Sequence, residues 1–241
     1  MGSSPAVQFK RILLKLSGES LAGDAKVGIS ASHLKYFADE VKAVVELGVQ
    51  VALVIGGGNI FRGISSQNFN LARVEADKMG MLATVINALA LKSAFQQQNL
   101  PATVLSAVNI GTFVEPFSNE RAIQHLEAGR VVLLAGGTGN PFFTTDTAGV
   151  LRAIEIGAEI ILKGTRVDGV YNADPEKFED AILFDRLSYM EVVRRNLKVM
   201  DTTAITLAME NKLPIIVFNF NKSGNLKRVV LGEPVGTKVQ G

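Results

Sequence analysis

The sequence predicts an α/β protein built on a parallel sheet with helices on both faces. Three observations carry that expectation: short strands apolar on both sides, helical periodicity between them, and glycine-rich turns where strands end. Arg11–Leu16 (RILLKL) reads as the first strand, running into Ser17-Gly18. From Ser32 to Leu47, Leu34, Phe37, Val41, Val44 and Val45 recur at helical spacing, and Gly48 follows as a C-terminal cap. Val49–Ile55 is a second strand that enters Gly56-Gly57-Gly58 directly. A long helix is expected over Ala72–Gln97, a third strand over Ala102–Val108, and a helix capped by Ser118 to about Ala128. Val131–Ala135 is a fourth strand running into Gly136-Gly137-Thr138-Gly139, Asp146–Ile156 is helical, and Ile160–Lys163 is a fifth strand.

After Lys163 the pattern changes. Val167-Asp168-Gly169-Val170 predicts a hairpin, because an Asp-Gly pair is flanked by β-branched residues. Ser188 and Glu191 predict a capping box for a helix near Tyr189–Arg195. A helix near Thr202–Glu210 precedes a strand at Ile215–Phe218. No repeat, low-complexity segment or linker interrupts this order. One domain over residues 10–241 is expected, after a flexible segment at 1–9.

Composition narrows the function. The 241 residues are 47% hydrophobic, enough for one substantial core, and the net charge is only +2. So small an excess predicts neither nucleic-acid nor membrane-surface binding, and any cationic chemistry must be local. Cysteine is absent, which excludes disulfides, thiolate metal sites and thiol nucleophiles. The N-terminus reads as neither a signal peptide nor a myristoylation site, and no apolar run reaches membrane-spanning length, so a cytoplasmic protein is expected.

Three turns collect glycine with Ser, Thr and Asn: Ser17–Gly18, Gly56–Asn59 and Gly136–Asn140. In a parallel sheet they lie at the strands' carboxyl ends, where backbone N–H groups and helix N-termini receive phosphate. Neither the dinucleotide fingerprint nor the P-loop fits: Phe61 and Phe142 stand where a third glycine is needed, and no glycine-lysine loop of P-loop spacing occurs. Lys15 and Lys163 end strands, and Arg62 follows the triple glycine. A lysine within an apolar strand is costly to bury without an anion, although a snorkelling side chain is the plain alternative. Cations gathered around a phosphate cradle suit phosphoryl transfer, which depends on positioning and charge neutralisation. Asp146 reads equally as a helix N-cap or a functional carboxylate, and Asp174 as a turn residue. His33 and His125 read as surface or boundary residues.

At this point the motifs themselves become informative. Lys15-Leu16-Ser17-Gly18, Gly56-Gly57-Gly58-Asn59, Phe61-Arg62-Gly63 and Gly137-Thr138-Gly139-Asn140-Pro141-Phe142-Phe143-Thr144-Thr145-Asp146 resemble bacterial uridylate kinases of the amino-acid-kinase family. So do the blocks Ala76–Thr84, Lys163–Tyr171 and Lys198–Asp201. The resemblance implies a three-layer αβα sandwich with a mainly parallel sheet of about eight strands, assembled as a homohexamer. It implies ATP held by Lys15, Leu16, Ser17, Gly18, Gly58, Arg62, Thr165, Tyr171 and Asp174. It implies UMP held by Gly57, Asp77 and the run Thr138, Gly139, Asn140, Pro141, Phe142, Phe143, Thr144 and Thr145. Lys15, Arg62, Asp146 and Lys163 would be catalytic. Mg²⁺ would arrive with ATP, because no carboxylate cluster offers it a cage. UTP is expected to inhibit. Family members of enterobacterial type carry a basic GTP pocket near positions 92–103, 119 and 130; here Gln96, Thr103 and Asn119 leave only Lys92 and Arg130 as cations, so GTP activation is expected to be weak. A sister kinase for a carboxylate or carbamate, or a non-catalytic binding protein on the same scaffold, is the alternative.

Overall fold

The computed structural model describes residues 6–25, 27–61 and 71–241, with nothing taken from the side chain of Asp24. Nine strands form one sheet: β1 (Arg11–Leu16), β2 (Gln50–Ile55), β3 (Ala102–Ser106), β4 (Glu115–Pro116), β5 (Val131–Ala135), β6 (Ile160–Thr165), β7 (Arg186–Ser188), β8 (Ile215–Asn219) and β9 (Thr237–Gln240). Their spatial order is β4-β3-β5-β2-β1-β6-β8-β9-β7. Every pairing is parallel except β8 with β9. The sheet therefore exceeds the expected eight strands, because β4, β7 and β9 are two to four residues long and too short to leave a periodic signal.

Eight α-helices are described: α1 (Glu19–Ala22), α2 (Ala31–Val45), α3 (Arg73–Gln97), α4 (Asn119–Glu127), α5 (Thr145–Glu155), α6 (Tyr189–Arg194), α7 (Thr202–Glu210) and α8 (Asn225–Val230). They sort onto the two faces through strand alternation. Ile12, Leu14 and Leu16 of β1 join a core with α2, α3 and α8, while Leu13 faces a second core with α4, α5, α6 and α7. That arrangement is a three-layer sandwich, and it explains why the central strands are apolar on both sides. Ser118 caps α4 by accepting from the Arg121 N–H, and Ser188 with Glu191 forms the expected capping box of α6. Gly48, with φ +85°, ends the α2 segment as its sequence implies.

Two expectations change. The Asp-Gly hairpin does not form: Gly169 lacks the positive φ that such a turn requires and packs against Thr237. Asp168 instead accepts from the Asn219 amide and pairs with Lys222 at 2.7 Å. The antiparallel contact lies further out, where Tyr171 bridges to Leu183. The ordered domain also starts before residue 10, since Phe9 is buried in the core and the Gln8 N–H donates to the Val230 carbonyl at 2.8 Å. Among the described residues, no helix is long and apolar enough to cross a membrane.

Candidate active site

Parallel pairing brings the carboxyl ends of β1, β2, β5 and β6 to one edge. In that register Lys15 lies directly beside Lys163, so both side chains leave the sheet on the same face. That is the face covered by α5, whose first turn carries Asp146. Lys15 Nζ sits 2.5 Å from Asp146 Oδ1, and Lys163 Nζ donates to Oδ2 at 2.9 Å. Lys163 also donates to the Val199 carbonyl at 2.5 Å. Two ammonium groups thus share one carboxylate in a mostly buried place, with the Asp201 carboxylate also acting on Lys163. Uncompensated buried charge is expensive unless an anion joins it.

The titration behaviour follows from the geometry. Burial alone would raise the Asp146 pKa, but charge attraction and hydrogen bonds from Lys15 and Lys163 outweigh it and hold the carboxyl below its usual range. Lys163 is pushed below the ordinary lysine value, first by burial and then by the Lys15 charge, with Asp146 and then Asp201 opposing both. Asp146 is not the helix cap. Thr144 takes that role, accepting from the Asp146 and Thr147 N–H groups, which frees the Asp146 carboxylate for the lysines. Thr144 is held in turn by Asp201, whose carboxylate accepts from the Thr144 and Thr147 hydroxyls and caps α7 at the Ala204 N–H.

Two clefts flank this trio. The first, about 410 Å³, is lined among others by Gly57, Gly58, Asp77, Thr138, Asn140, Phe143, Thr144 and Thr145. The second, about 470 Å³, is lined by Lys15, Ser17, Lys163, Thr165 and Arg166, and both clefts touch Glu19. Between them Gly18 packs so closely that a Cβ would fall 2.3 Å from the Gly56 carbonyl oxygen, which is why glycine is needed there.

Most of the residues singled out from sequence thus gather at one edge, and some are arranged differently from expectation. Gly58 lines the first cleft with Gly57 rather than the second. The Leu16 side chain is buried in the core, leaving only its backbone near the site. Tyr171 and Asp174 line neither cleft; Asp174 accepts from the Glu176 N–H and pairs with Lys177 at 3.5 Å. Gly139, Pro141 and Phe142 do not line the first cleft, and Phe142 holds a left-handed φ of +72° with its ring mostly exposed. Asp77 pairs with Arg73 at 2.9 Å and accepts the Phe142 N–H at 2.8 Å. Arg62 and Gly63 lie outside the described residues. Among the described residues no group of three or more acidic or histidine side chains could hold a metal ion. Sequence reasoning missed Glu19, Arg73, Met81 and Thr84, which also line the first cleft. Arg73 and Met81 sit at helical spacing from Asp77, which was the available signal.

A family model matches residues 10–219, that of the Amino acid kinase family. The chain belongs to the amino acid kinase family. Its fold is shared with solved kinases of that kind over nearly the whole length. A UMP kinase from Bacillus anthracis is 41% identical with a TM-score of 0.94, covering 96% of each chain. A UMP kinase from Ureaplasma parvum is 35% identical with a TM-score of 0.91, over 96% of this chain and 99% of that one. A uridylate kinase from Archaeoglobus fulgidus is more distant, at 28% identity and a TM-score of 0.73, over 95% and 99%.

Proposed function

We propose that this chain is a UMP kinase, transferring the γ-phosphoryl group of ATP to the phosphate of UMP to give UDP and ADP. One observation carries the reading: Lys15 and Lys163 converge on Asp146 and line one cleft, beside a second cleft lined by the neighbouring Thr144 and Thr145. The likeness to two UMP kinases at 35% identity or more supports the choice of acceptor. In this reading ATP occupies the cleft of Ser17, Lys163 and Thr165, and UMP the cleft of Gly57, Asp77 and Thr138–Thr145. The two ammonium groups neutralise charge on the transferring phosphoryl group, which is spread over its oxygens in the transition state. Asp146 holds both ammonium groups in place, so little reorganisation is left for the reacting complex. Arg62 is assigned to the same phosphates.

Mg²⁺, when bound with ATP, would mask charge on the β- and γ-phosphates. Asp146 fits such a complex: its buried Oδ1 faces Lys15 alone, and a carboxylate oxygen with one partner retains acceptor capacity. The backbone of Thr138–Asn140 is proposed to read the uracil edge, and Asp77 the ribose hydroxyls, after exchanging its present partners. A coupled assay for ADP formation across UMP, CMP, dTMP, glutamate derivatives and carbamate tests the assignment. Turnover of a carboxylate or carbamate in preference to UMP would overturn it.

The further parts of the proposal are a cytoplasmic homohexamer, inhibition by UTP at the UMP cleft, and weak GTP activation. Self-association is supported by α3, which exposes Met79, Leu82, Ile86 and Leu89 at coiled-coil spacing and has no charge between Lys78 and Lys92. Weak GTP activation is supported by Thr103, whose buried hydroxyl donates to Glu115, a carboxylate that also faces His125. An acid beside a pocket that has lost cations opposes a triphosphate. Titrating GTP at low UMP should give little activation below millimolar GTP; several-fold activation at micromolar GTP would remove this part alone.

A further inference from the structure

The inner face of α3 carries a polar stripe through an otherwise apolar packing surface. Asp77, Thr84 and Asn87 are spaced seven and three residues apart, placing them along one side of the helix. Thr84 is 5% exposed and Asn87 is fully buried. Polar side chains in such a place need partners, and both find them in the glycine turns.

Thr84 Oγ1 accepts the Gly136 N–H at 2.8 Å and donates to the Met81 carbonyl at 2.6 Å, so its donor and acceptor sides are both committed. One turn later, Asn87 donates to the Gly56 carbonyl at 2.8 Å and to Asn59 Oδ1 at 2.7 Å. Asn59 returns a bond to Asn87 Oδ1 at 3.0 Å, and its second N–H reaches the Gly28 carbonyl at 2.7 Å. The Gly57 backbone lies so close to α3 that a Cβ would meet Ala83 at 2.7 Å and the Gly80 carbonyl at 2.8 Å. One rigid helix therefore grips the second glycine turn with Asn87 and the third with Thr84. Those two turns form facing walls of the acceptor cleft, and Thr84 itself lines it.

We propose that Thr84 and Asn87 are positioning residues for the acceptor site, setting the spacing between the Gly56–Asn59 and Gly136–Asn140 turns. The inference rests on the acceptor-cleft reading above and adds to it a pair of residues that need not touch the acceptor's reacting atoms. A hydrogen-bond ruler of this kind acts on the population of the competent cleft, so its loss lowers apparent acceptor affinity in proportion. The donor cleft is lined by residues of β1, β6, α1 and α2 and by Asn221, none of which Thr84 or Asn87 hydrogen-bonds.

The test uses the full-length protein with Thr84→Val, which keeps the shape and removes the hydroxyl, and Thr84→Ser, which restores it. KM is measured for ATP and for whichever acceptor the wild type turns over, so failure of the UMP assignment would not be confused with failure of this proposal. Thr84→Val leaves a buried N–H without a partner, and acceptor KM should rise about tenfold while ATP KM stays within about twofold. Thr84→Ser should return acceptor KM to near wild type. Hydrogen exchange should quicken in the segment 136–145 of Thr84→Val whatever the acceptor. Asn87→Leu should shift acceptor KM in the same direction with faster exchange at 56–61. Unchanged acceptor KM, an equal rise in both KM values, lack of rescue by serine, or unaltered exchange at 136–145 would each overturn the proposal.

Discussion

The lysine–aspartate trio and the acceptor cleft adjoin at the start of α5, yet they are held in different ways. The trio is fixed by regular structure: Lys15 and Lys163 are register partners on neighbouring strands, and Asp146 stands in a helix's first turn. The cleft is made of turns, and its walls are fixed by single hydrogen bonds from α3 and by the Asp77–Phe142 contact. Charge is thus placed on regular structure, and the proposed recognition surface on turns held by side chains. Electrostatic stabilisation benefits from rigidity because reorganisation costs are then met in folding. Recognition of a base needs polar groups at particular points, which loops supply more readily than strands.

The most demanding test of this contrast concerns the base. If the Thr138–Thr145 turn reads uracil, cytosine presents it with donors and acceptors exchanged, and kcat/KM for CMP should fall by about 10⁴-fold. Comparable values for UMP and CMP would show that the turn does not discriminate and that the cleft holds its ligand by shape and phosphate alone.

The trio should respond through kcat instead. Lys15→Ala and Lys163→Ala should each lower kcat by about 10²–10³-fold, the usual cost of removing one preorganised donor, with native circular dichroism. Arg62→Ala belongs to the same series. Wild-type kcat in any two of the three would sink the phosphoryl-transfer assignment.

A smaller effect concerns Lys163 and pH. Because burial and Lys15 depress the Lys163 pKa, this side chain loses its charge at lower pH than an ordinary lysine, and kcat should decline on the alkaline side accordingly. Lys163→Arg, which stays charged, should remove that decline even where it lowers the maximal rate. The charged forms contribute to stability with opposite signs, although both contributions rise with pH. Depressed Lys163 costs folding free energy while protonated, a cost relieved as pH rises from its folded pKa towards the ordinary lysine value. Asp146, also depressed, contributes stability present above the usual carboxylate pKa and lost as pH falls through its lower folded value. An alkaline decline that persists unchanged in Lys163→Arg would assign it to another group.

Much of this was legible in the chain itself. Arg11–Leu16 and Val131–Ala135 have the bounds expected of them, because apolar runs closed by glycine leave little freedom of assignment. The Ser188–Glu191 box was legible for a similar reason, since its partners are three residues apart and need no tertiary contact. The unexpected lysines in apolar strands pointed to an anion before any partner was visible. Less was legible where the partner is distant in sequence. Thr84 and Asn87 look like interruptions in an apolar helix, and their meaning depends on turns about 28–52 residues away. The Asp-Gly pair looked like a hairpin turn, but Asn219 and Lys222 engage the Asp168 carboxylate and Thr237 takes the Val170 N–H.

The sequence by itself determined the α/β layering, the strand-end glycine turns and the identity of the charged groups, because periodicity and turn chemistry are local. The tertiary structure alone decided that two lysines 148 residues apart share one carboxylate, which side of α5 that carboxylate faces, and which helix hydrogen-bonds both glycine turns. Those outcomes depend on strand order and register. Both emerge only when every apolar face has found cover, since a one-residue slip would turn Lys15 into the opposite core.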